Sequence, residues 1–189
     1  MTRLDIVGLC GSLRAGSINR MALNLIGRSL PDGMTLEVAD LRAVPFFDAD
    51  LLADGFPPPV LALRERIRRA AGVVIATPEY NFSVPGVLKN ALDWISRGDD
   101  QPFAAKPVAI LSASPGALGG ARVQYDLRKV LLFMNAHVMA KPEVFIGAAA
   151  AKFGADGSCT DETTRKIASD QMAAFERWIG GVRRMTGVA

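Results

Sequence analysis

A loop of small and polar residues runs from Gly11 to Asn19, directly after an apolar segment and directly before one with helical spacing. The first turn of a helix leaves backbone N–H groups unpaired and carries about half a positive charge, so it attracts anions. Ser12, Ser17 and Asn19 add side-chain donors, and Arg14 can neutralise negative charge. The loop is therefore predicted to bind a phosphate group. The alternative is an ordinary turn in which Ser17 or Asn19 serves only as the helix N-cap.

The spacing of this loop argues against the common nucleotide-binding motifs. A Walker A sequence needs a Lys followed by Ser or Thr, which the segment from Gly11 to Ser17 lacks. The dinucleotide fingerprint has a different glycine spacing and an acidic ribose partner, which is not evident here. Cys10 and Arg14 are also too close for a phosphatase loop, so a phosphotransferase has little support. A mononucleotide is the better prediction.

A second loop, from Thr77 to Pro85, concentrates prolines, amides and aromatic rings. Prolines stiffen the backbone, and a stiff backbone can present polar groups to the edge of a flat heterocycle such as a flavin ring. The alternative for Tyr80 and Phe82 is that they are half-buried aromatic residues, and this alternative is favoured for Phe82. Pro85 would then start the next helix. Glu79 has no second carboxylate or His near it in sequence, so it is expected to fix the loop.

A third loop, from Ser112 to Gly120, is rich in glycine and serine. Small residues allow close approach of a ligand to the backbone. Taken alone, the segment is typical of a flexible surface turn. The prediction that it contributes to a binding site depends on the other two loops.

The three loops follow segments that read as buried strands of a parallel sheet, because their residues are apolar on both faces. These strands alternate with helical segments, and a right-handed doubly wound sheet brings the loops together at the carboxyl ends of the strands. The fold class predicted for residues 1–189 is a single α/β domain, a flavodoxin-like three-layer sandwich with a five-stranded parallel sheet. The predicted strands are 4–9, 35–39, 72–76, 107–111 and 137–145, the last interrupted at Lys141-Pro142.

Apolar stripes at helical spacing supply the outer layers. The segment from Leu51 to Pro59, with its run of three prolines, is interpreted as a stiff connector without chemistry. The helical segments contain Met21 to Ile26, Val60 to Ile67, Leu88 to Ile95, Ala121 to Asn135, and a closing helix over Asp161 to Val182.

Charge and cysteine content narrow the class of protein further. The formal net charge is +3 and the basic residues are scattered, so a nucleic-acid partner is not expected. Cys10 and Cys159 match neither a metal-ligand cluster nor a redox pair, which suits a reducing cytoplasm. No stretch has the length and apolarity of a membrane span, and the N-terminus does not read as a signal peptide.

Together these residues resemble the NAD(P)H-dependent FMN reductases, particularly their bacterial quinone and chromate reductase branch. The resemblance covers nearly the whole chain, except that Pro115 stands at a position that varies among relatives and the tail after Phe153 matches poorly. Three motifs carry it: Gly11-Ser12-Leu13-Arg14-Ala15-Gly16-Ser17-Ile18-Asn19; Pro78-Glu79-Tyr80-Asn81-Phe82-Ser83-Val84-Pro85-Gly86 with Lys89-Asn90-Ala91-Leu92-Asp93-Trp94; and Ser114-Pro115-Gly116 with Gly119-Gly120-Ala121-Arg122.

The resemblance implies FMN as the cofactor and assigns residues to each part of it. It also implies a homodimer or homotetramer with the active site near the subunit interface, where Arg122, Tyr125 and Glu143 are candidate polar groups, an isolated surface role being the alternative. The implied FMN contacts are Ser12, Arg14, Ser17, Ile18 and Asn19 at the phosphate, Pro78, Glu79, Tyr80 and Asn81 along the isoalloxazine ring, and Ser114 and Gly116 at its pyrimidine side.

With FMN bound, hydride from NADH or NADPH would reach the flavin, and electrons would then pass to a small-molecule acceptor. Quinones, azo compounds, free flavin and metal oxyanions such as chromate are the expected acceptors, in a ping-pong mechanism. No catalytic side chain and no metal are expected, and His137 is predicted to be structural. The alternative is a flavodoxin-like electron carrier, which the basic pI of about 9.1 disfavours because cationic redox partners would be repelled.

Overall fold

The computed structural model describes residues 3–187. Strands and helices alternate along the chain, as predicted. The strands are β1 (Leu4–Cys10), β2 (Met34–Val38), β3 (Gly72–Thr77), β4 (Pro107–Ala113), β5 (His137–Val138) and β6 (Val144–Ile146). The helices are α1 (Ile18–Arg28), α2 (Ala49–Ala53), α3 (Pro58–Arg69), α4 (Gly86–Ile95), α5 (Ala121–Phe133) and α6 (Glu162–Thr186), and a 3₁₀ turn covers Ala149–Ala151.

All strand pairs of the sheet are parallel, in the order β2-β1-β3-β4-β5, with β6 also paired to β4. Every residue of β3 and β4 is buried, because helices cover both faces of the sheet. One face packs on α1 and α6 through residues such as Leu23 and Phe175, and the other packs on α3, α4 and α5 through residues such as Leu63 and Leu92. The flavodoxin-like prediction is confirmed.

The predicted fifth strand is divided into β5 and β6, which pair with successive parts of β4. The interruption falls at Lys141-Pro142, as predicted, because proline has no N–H for the ladder. Two buried glutamines donate hydrogen bonds to backbone carbonyl groups around this break. The Nε2 atom of Gln171 donates to the Ile110 oxygen at 2.9 Å, and that of Gln124 donates to the Val144 oxygen at 2.8 Å.

The prediction of a connector over Leu51 to Pro59 is partly wrong, because α2 extends into it. The carboxylate of Asp48 accepts a hydrogen bond from Asp50 N at 2.9 Å and caps the first turn of this helix. Pro58 then begins α3, where its missing N–H does no harm. Within residues 3–187 the structure has no helix with the length and apolarity needed to cross a membrane.

Candidate active site

The three predicted loops extend from the carboxyl ends of β1, β3 and β4, which are neighbours in the sheet. The register aligns these ends, since Cys10 pairs with Ala76 and Thr77 pairs with Ser112. Gly11 N donates to the Ala76 oxygen at 2.9 Å, which joins the first loop to the carboxyl end of β3. The loops therefore meet at one edge of the sheet.

The first loop presents unpaired donors at the start of α1. Ser17 is the N-cap, and its Oγ accepts a hydrogen bond from Arg20 N at 3.2 Å. Within the described part of the chain, the backbone N–H groups of Ile18 and Asn19 have no acceptor. Ser17 is thus a helix cap, and its Oγ also lies 4.0 Å from Cys10 Sγ, within hydrogen-bond range of the thiol. The two backbone N–H groups are left for an anion.

Arg14 lies on the exposed side of the same loop. Its Nη2 and Nε atoms donate to the Gly16 oxygen at 2.7 and 3.3 Å, which curls the side chain over the loop. Ser12 is nearly buried, and its Oγ accepts from Arg14 N at 3.4 Å. A guanidinium, serine hydroxyls and free N–H groups form a donor set whose chemistry fits a phosphate.

The side chain of Asn19 differs from the prediction, which assigned its amide to the phosphate. It is only 3% exposed and bonds instead to the backbone of Ala113, at the end of β4. This contact joins residues 94 positions apart, so no local pattern could reveal it. The backbone N–H of Asn19 remains available to an anion.

Gly11 allows the first loop to touch the second. A Cβ atom built on Gly11 would lie 2.4 Å from Thr77 Oγ1 and 3.2 Å from Pro78 Cδ. Thr77 is fully buried, and its hydroxyl donates to the Pro78 oxygen at 2.9 Å. The backbone of the first loop thus lies directly against the side chains of Thr77 and Pro78 beneath the site.

The second loop ends in a tight hairpin. Tyr80 and Ser83 exchange two backbone hydrogen bonds of 3.1 and 2.9 Å, and the residues between them, Asn81 and Phe82, have φ values of 49° and 66°. Such left-handed backbone is strained for a bulky residue and is concentrated at functional sites. The prediction that Phe82 is half-buried is wrong: its ring is 66% exposed, and the Arg122 guanidinium lies 3.7 Å from its centroid.

Glu79 fixes the second loop to α5, as expected. Its carboxylate is 8% exposed and accepts hydrogen bonds from Arg122 Nε at 2.6 Å and from Val123 N at 3.2 Å. The second of these bonds lies in the first turn of α5, where a negative charge is favoured by the helix dipole. Arg122 therefore has a partner within its own chain.

The third loop is a turn held by several hydrogen bonds, two of which are made by a buried serine. Ser112 Oγ is buried, donates to the Gly119 oxygen at 2.7 Å, and accepts from Gln124 Nε2 at 2.8 Å. Gly119 has a φ of 59°, and a Cβ atom there would lie 2.7 Å from the carbonyl carbon of Phe145. Ser114 Oγ accepts from Gly116 N at 3.0 Å, within the predicted contact segment.

Gln124 is a site-supporting residue that sequence reasoning missed. It lies on the face of α5 that also carries Leu127 and Leu131, three and seven residues further on. A glutamine within an apolar stripe at that spacing indicates a buried polar partner, which here is Ser112. This signal was present in the sequence.

The other candidate residues lie outside the three loops. The pKa of Glu143 is held below its usual range by a hydrogen bond from Lys141, with a smaller contribution from the Tyr125 hydroxyl. Tyr125 and Glu143 are thus neighbours on the surface. His137 lies in β5, where its carbonyl oxygen accepts from Trp178 Nε1 at 2.8 Å.

Apart from the loop site, the structure has a cavity of about 580 Å³ between α3 and the strands β1 and β2. Its charged side chains pair with one another. The pairs are Arg3 with Asp5, Arg66 with Glu37, and Arg69 with Glu65. It lacks the convergent free donors of the loop site, and the loops are therefore the better candidate.

Comparison with known proteins places the chain in a family. The family model described as NADPH-dependent FMN reductase matches residues 4–151. An NAD(P)H-dependent FMN reductase of Pseudomonas aeruginosa is 46% identical over 184 residues, covering 97% of this chain and 98% of the relative. A quinone reductase of Escherichia coli is also 46% identical over 184 residues, covering 96% and 98%.

A solved structure supports the same assignment. The flavoenzyme NAD(P)H:(acceptor) oxidoreductase of Paracoccus denitrificans superposes with a TM-score of 0.86 at 35% identity, covering 94% of this chain and 98% of that one. Fold and loops thus define a flavodoxin-like oxidoreductase. The chain belongs to the NADPH-dependent FMN reductase family, whose enzymes use FMN as cofactor and NAD(P)H as electron donor.

Proposed function

We propose that this protein is a quinone reductase that oxidises NADH or NADPH through bound FMN. The observation that carries the proposal is the convergence of three loops, one with unpaired N–H donors, at the edge where a doubly wound sheet binds its ligand. Two related proteins are named for these activities. FMN supplies hydride acceptance and electron transfer when bound, and the protein supplies position and polarity.

The first loop is proposed to hold the phosphate. Ile18 and Asn19 offer backbone N–H groups, and Ser17 offers the hydroxyl hydrogen that its capping bond leaves free. Ser12 adds a second hydroxyl, and Arg14 adds the positive charge.

The second and third loops are proposed to orient the ring. The stiff segment Pro78, Glu79, Tyr80 and Asn81 would line one edge, held in place by the bond between Glu79 and Arg122. Ser114 and Gly116 would face the pyrimidine side. No side chain of the protein is assigned a proton-transfer or nucleophilic role.

The acceptor is proposed to bind at the exposed rim of the site. The side chains of Tyr80 and Phe82 are exposed there, and flat aromatic surfaces favour stacking with planar acceptors such as quinones. An open rim also suits azo compounds, free flavin and chromate as further acceptors. Because donor and acceptor would use the same position in turn, the kinetics should be ping-pong.

A steady-state experiment tests this proposal. NADH and a soluble benzoquinone are varied together, and double-reciprocal plots at several fixed quinone concentrations are compared. Parallel lines are expected from a ping-pong mechanism. Lines that intersect to the left of the axis would require both substrates to be bound at once and would contradict the shared position.

We also propose that the protein forms a homodimer or homotetramer. Two adjoining cavities of about 260 and 310 Å³ form a groove between α4 and α5, bordered by Val130 and Lys89. Leu132 and Phe133 stand exposed at the end of α5. Apolar side chains beside a groove are typical of a protein interface, and Arg122 and Tyr125 on the same helix would bring that interface near the active site.

The two unpaired cysteines fit a cytoplasmic protein.

A further inference from the structure

Asn19 forms a buried clamp between the first and third loops. Its Nδ2 atom donates to the Ala113 oxygen at 3.0 Å, and its Oδ1 atom accepts from Ala113 N at 3.0 Å. Both ends of the carboxamide are thus bonded to one residue of β4. A carboxamide that pairs with both backbone groups of a single residue fixes that residue in position and orientation.

Ala113 is the last residue of β4, so the clamp acts on the loop that follows it. The next residue, Ser114, is held from the other side, since Ser114 N donates to the Ile146 oxygen and its own oxygen accepts from Ala149 N, both at 3.0 Å. Asn19 supplies the attachment on the side of α1. Without it, the N–H and C=O groups of Ala113 would lose their buried partners.

We propose that Asn19 is a positioning residue, which holds the third loop against the phosphate loop and does not bind the phosphate through its side chain. The proposal rests on the proposed FMN function. It makes the two loops one unit, so that the phosphate end and the ring end of the site keep a fixed separation. Its effect on flavin binding is then exerted at the ring, through Ser114 and Gly116.

The test compares two flavins that differ only in the phosphate. Apoprotein affinities for FMN and for riboflavin are measured by fluorescence quenching for wild type, Asn19→Ala and Arg14→Ala, with Asn24→Ala, an exposed asparagine of α1, as the matched control. Asn19→Ala should weaken both flavins by the same factor, about tenfold or more, because the ring contacts are displaced. Arg14→Ala should weaken FMN alone. Asn24→Ala should change neither.

A loss confined to FMN in Asn19→Ala would make the side chain a phosphate ligand and overturn the proposal, as would unchanged affinity for both flavins. Hydrogen exchange of the apoprotein gives a second readout that needs no flavin. Peptides covering 112–120 should exchange faster in Asn19→Ala than in wild type, and equal rates would also overturn the clamp. If Asn19→Ala does not fold, Asn19→Ser is measured in its place. If wild type itself binds no FMN, the proposed function fails, while the exchange comparison still reports on the clamp.

Discussion

At the end of β1 the chain passes so close to Thr77 that residue 11 has no room for a side chain. Gly11→Ala should lower the free energy of unfolding by about 1–3 kcal/mol, the usual effect of overpacking a tight site. Gly16→Ala is the matched control, because its Cβ would have no neighbour nearer than the flexible end of Arg14 at 3.7 Å. Urea unfolding measures both. Equal stability of the two variants would contradict the close contact.

Arg14 is the one charged side chain of the first loop, and we propose that it brings its positive charge to the phosphate. Arg14→Ala should weaken FMN binding by roughly 1.5–3 kcal/mol, the usual worth of a hydrogen bond to a charged group. The control is Arg28→Ala, which removes a basic residue from the last turn of α1, the helix that follows the first loop. Titration calorimetry of the apoprotein with FMN measures the difference. Unchanged affinity in Arg14→Ala would remove this residue from the phosphate site.

At the scale of residues, sequence reasoning identified which loops matter but not how their side chains are bonded. The free donors at the start of α1 are predictable because a strand-to-helix turn exposes N–H groups whatever surrounds it. The partners of Asn19 and Glu79 were not, since Ala113 and Arg122 lie 94 and 43 positions away. Such contacts depend on how the sheet brings distant segments together.

At the scale of elements, α6 begins at a charged cap. The pKa of Asp161 lies below its usual value, chiefly because the hydroxyl of Thr164 donates to its carboxylate, with a second bond from Thr164 N. A carboxyl group whose folded pKa is lowered stabilises the fold above its unfolded pKa and loses that contribution as the pH falls through the folded pKa.

Asp161→Ala should therefore have a lower melting temperature than wild type at neutral pH. The difference should narrow as the pH falls from about 5 to about 2, where the carboxylate of wild type becomes protonated. Asp161→Asn keeps an acceptor at the cap and should lose less at neutral pH. Thermal unfolding followed by circular dichroism measures all three proteins. A difference that is independent of pH would mean that the charge of Asp161 contributes nothing.

The apolar pattern predicts the type of each long element, but two local features of the structure do not follow from that pattern. The short helix α2 depends on a single cap, Asp48, within a segment that otherwise reads as irregular. The division of the fifth strand is predictable from Pro142, and the spacing of Gln124 indicates that it is buried with a polar partner. The carbonyl groups that Gln124 and Gln171 pair are not predictable, because they depend on how helices pack on both faces of the sheet.

At the scale of the whole molecule, the groove between α4 and α5 predicts self-association. Phe133 is 75% exposed beside it, so Phe133→Asp should shift the protein toward the monomer by placing a charge in an apolar interface. Leu61→Asp is the matched control, since Leu61 is 51% exposed on the outer face of α3. Light scattering coupled to gel filtration measures the mass. A variant with the same mass as an oligomeric wild type, or a monomeric wild type, would exclude this groove as the interface.

The three loops together are proposed to bind a flavin that NAD(P)H reduces. The visible absorbance spectrum of the purified protein, reconstituted with FMN and freed of excess, is recorded before and after anaerobic addition of NADH or NADPH. A protein-bound yellow chromophore is expected, which one of the two donors bleaches and a benzoquinone restores. A protein that retains no flavin, or whose bound flavin stays oxidised with both donors, would contradict it.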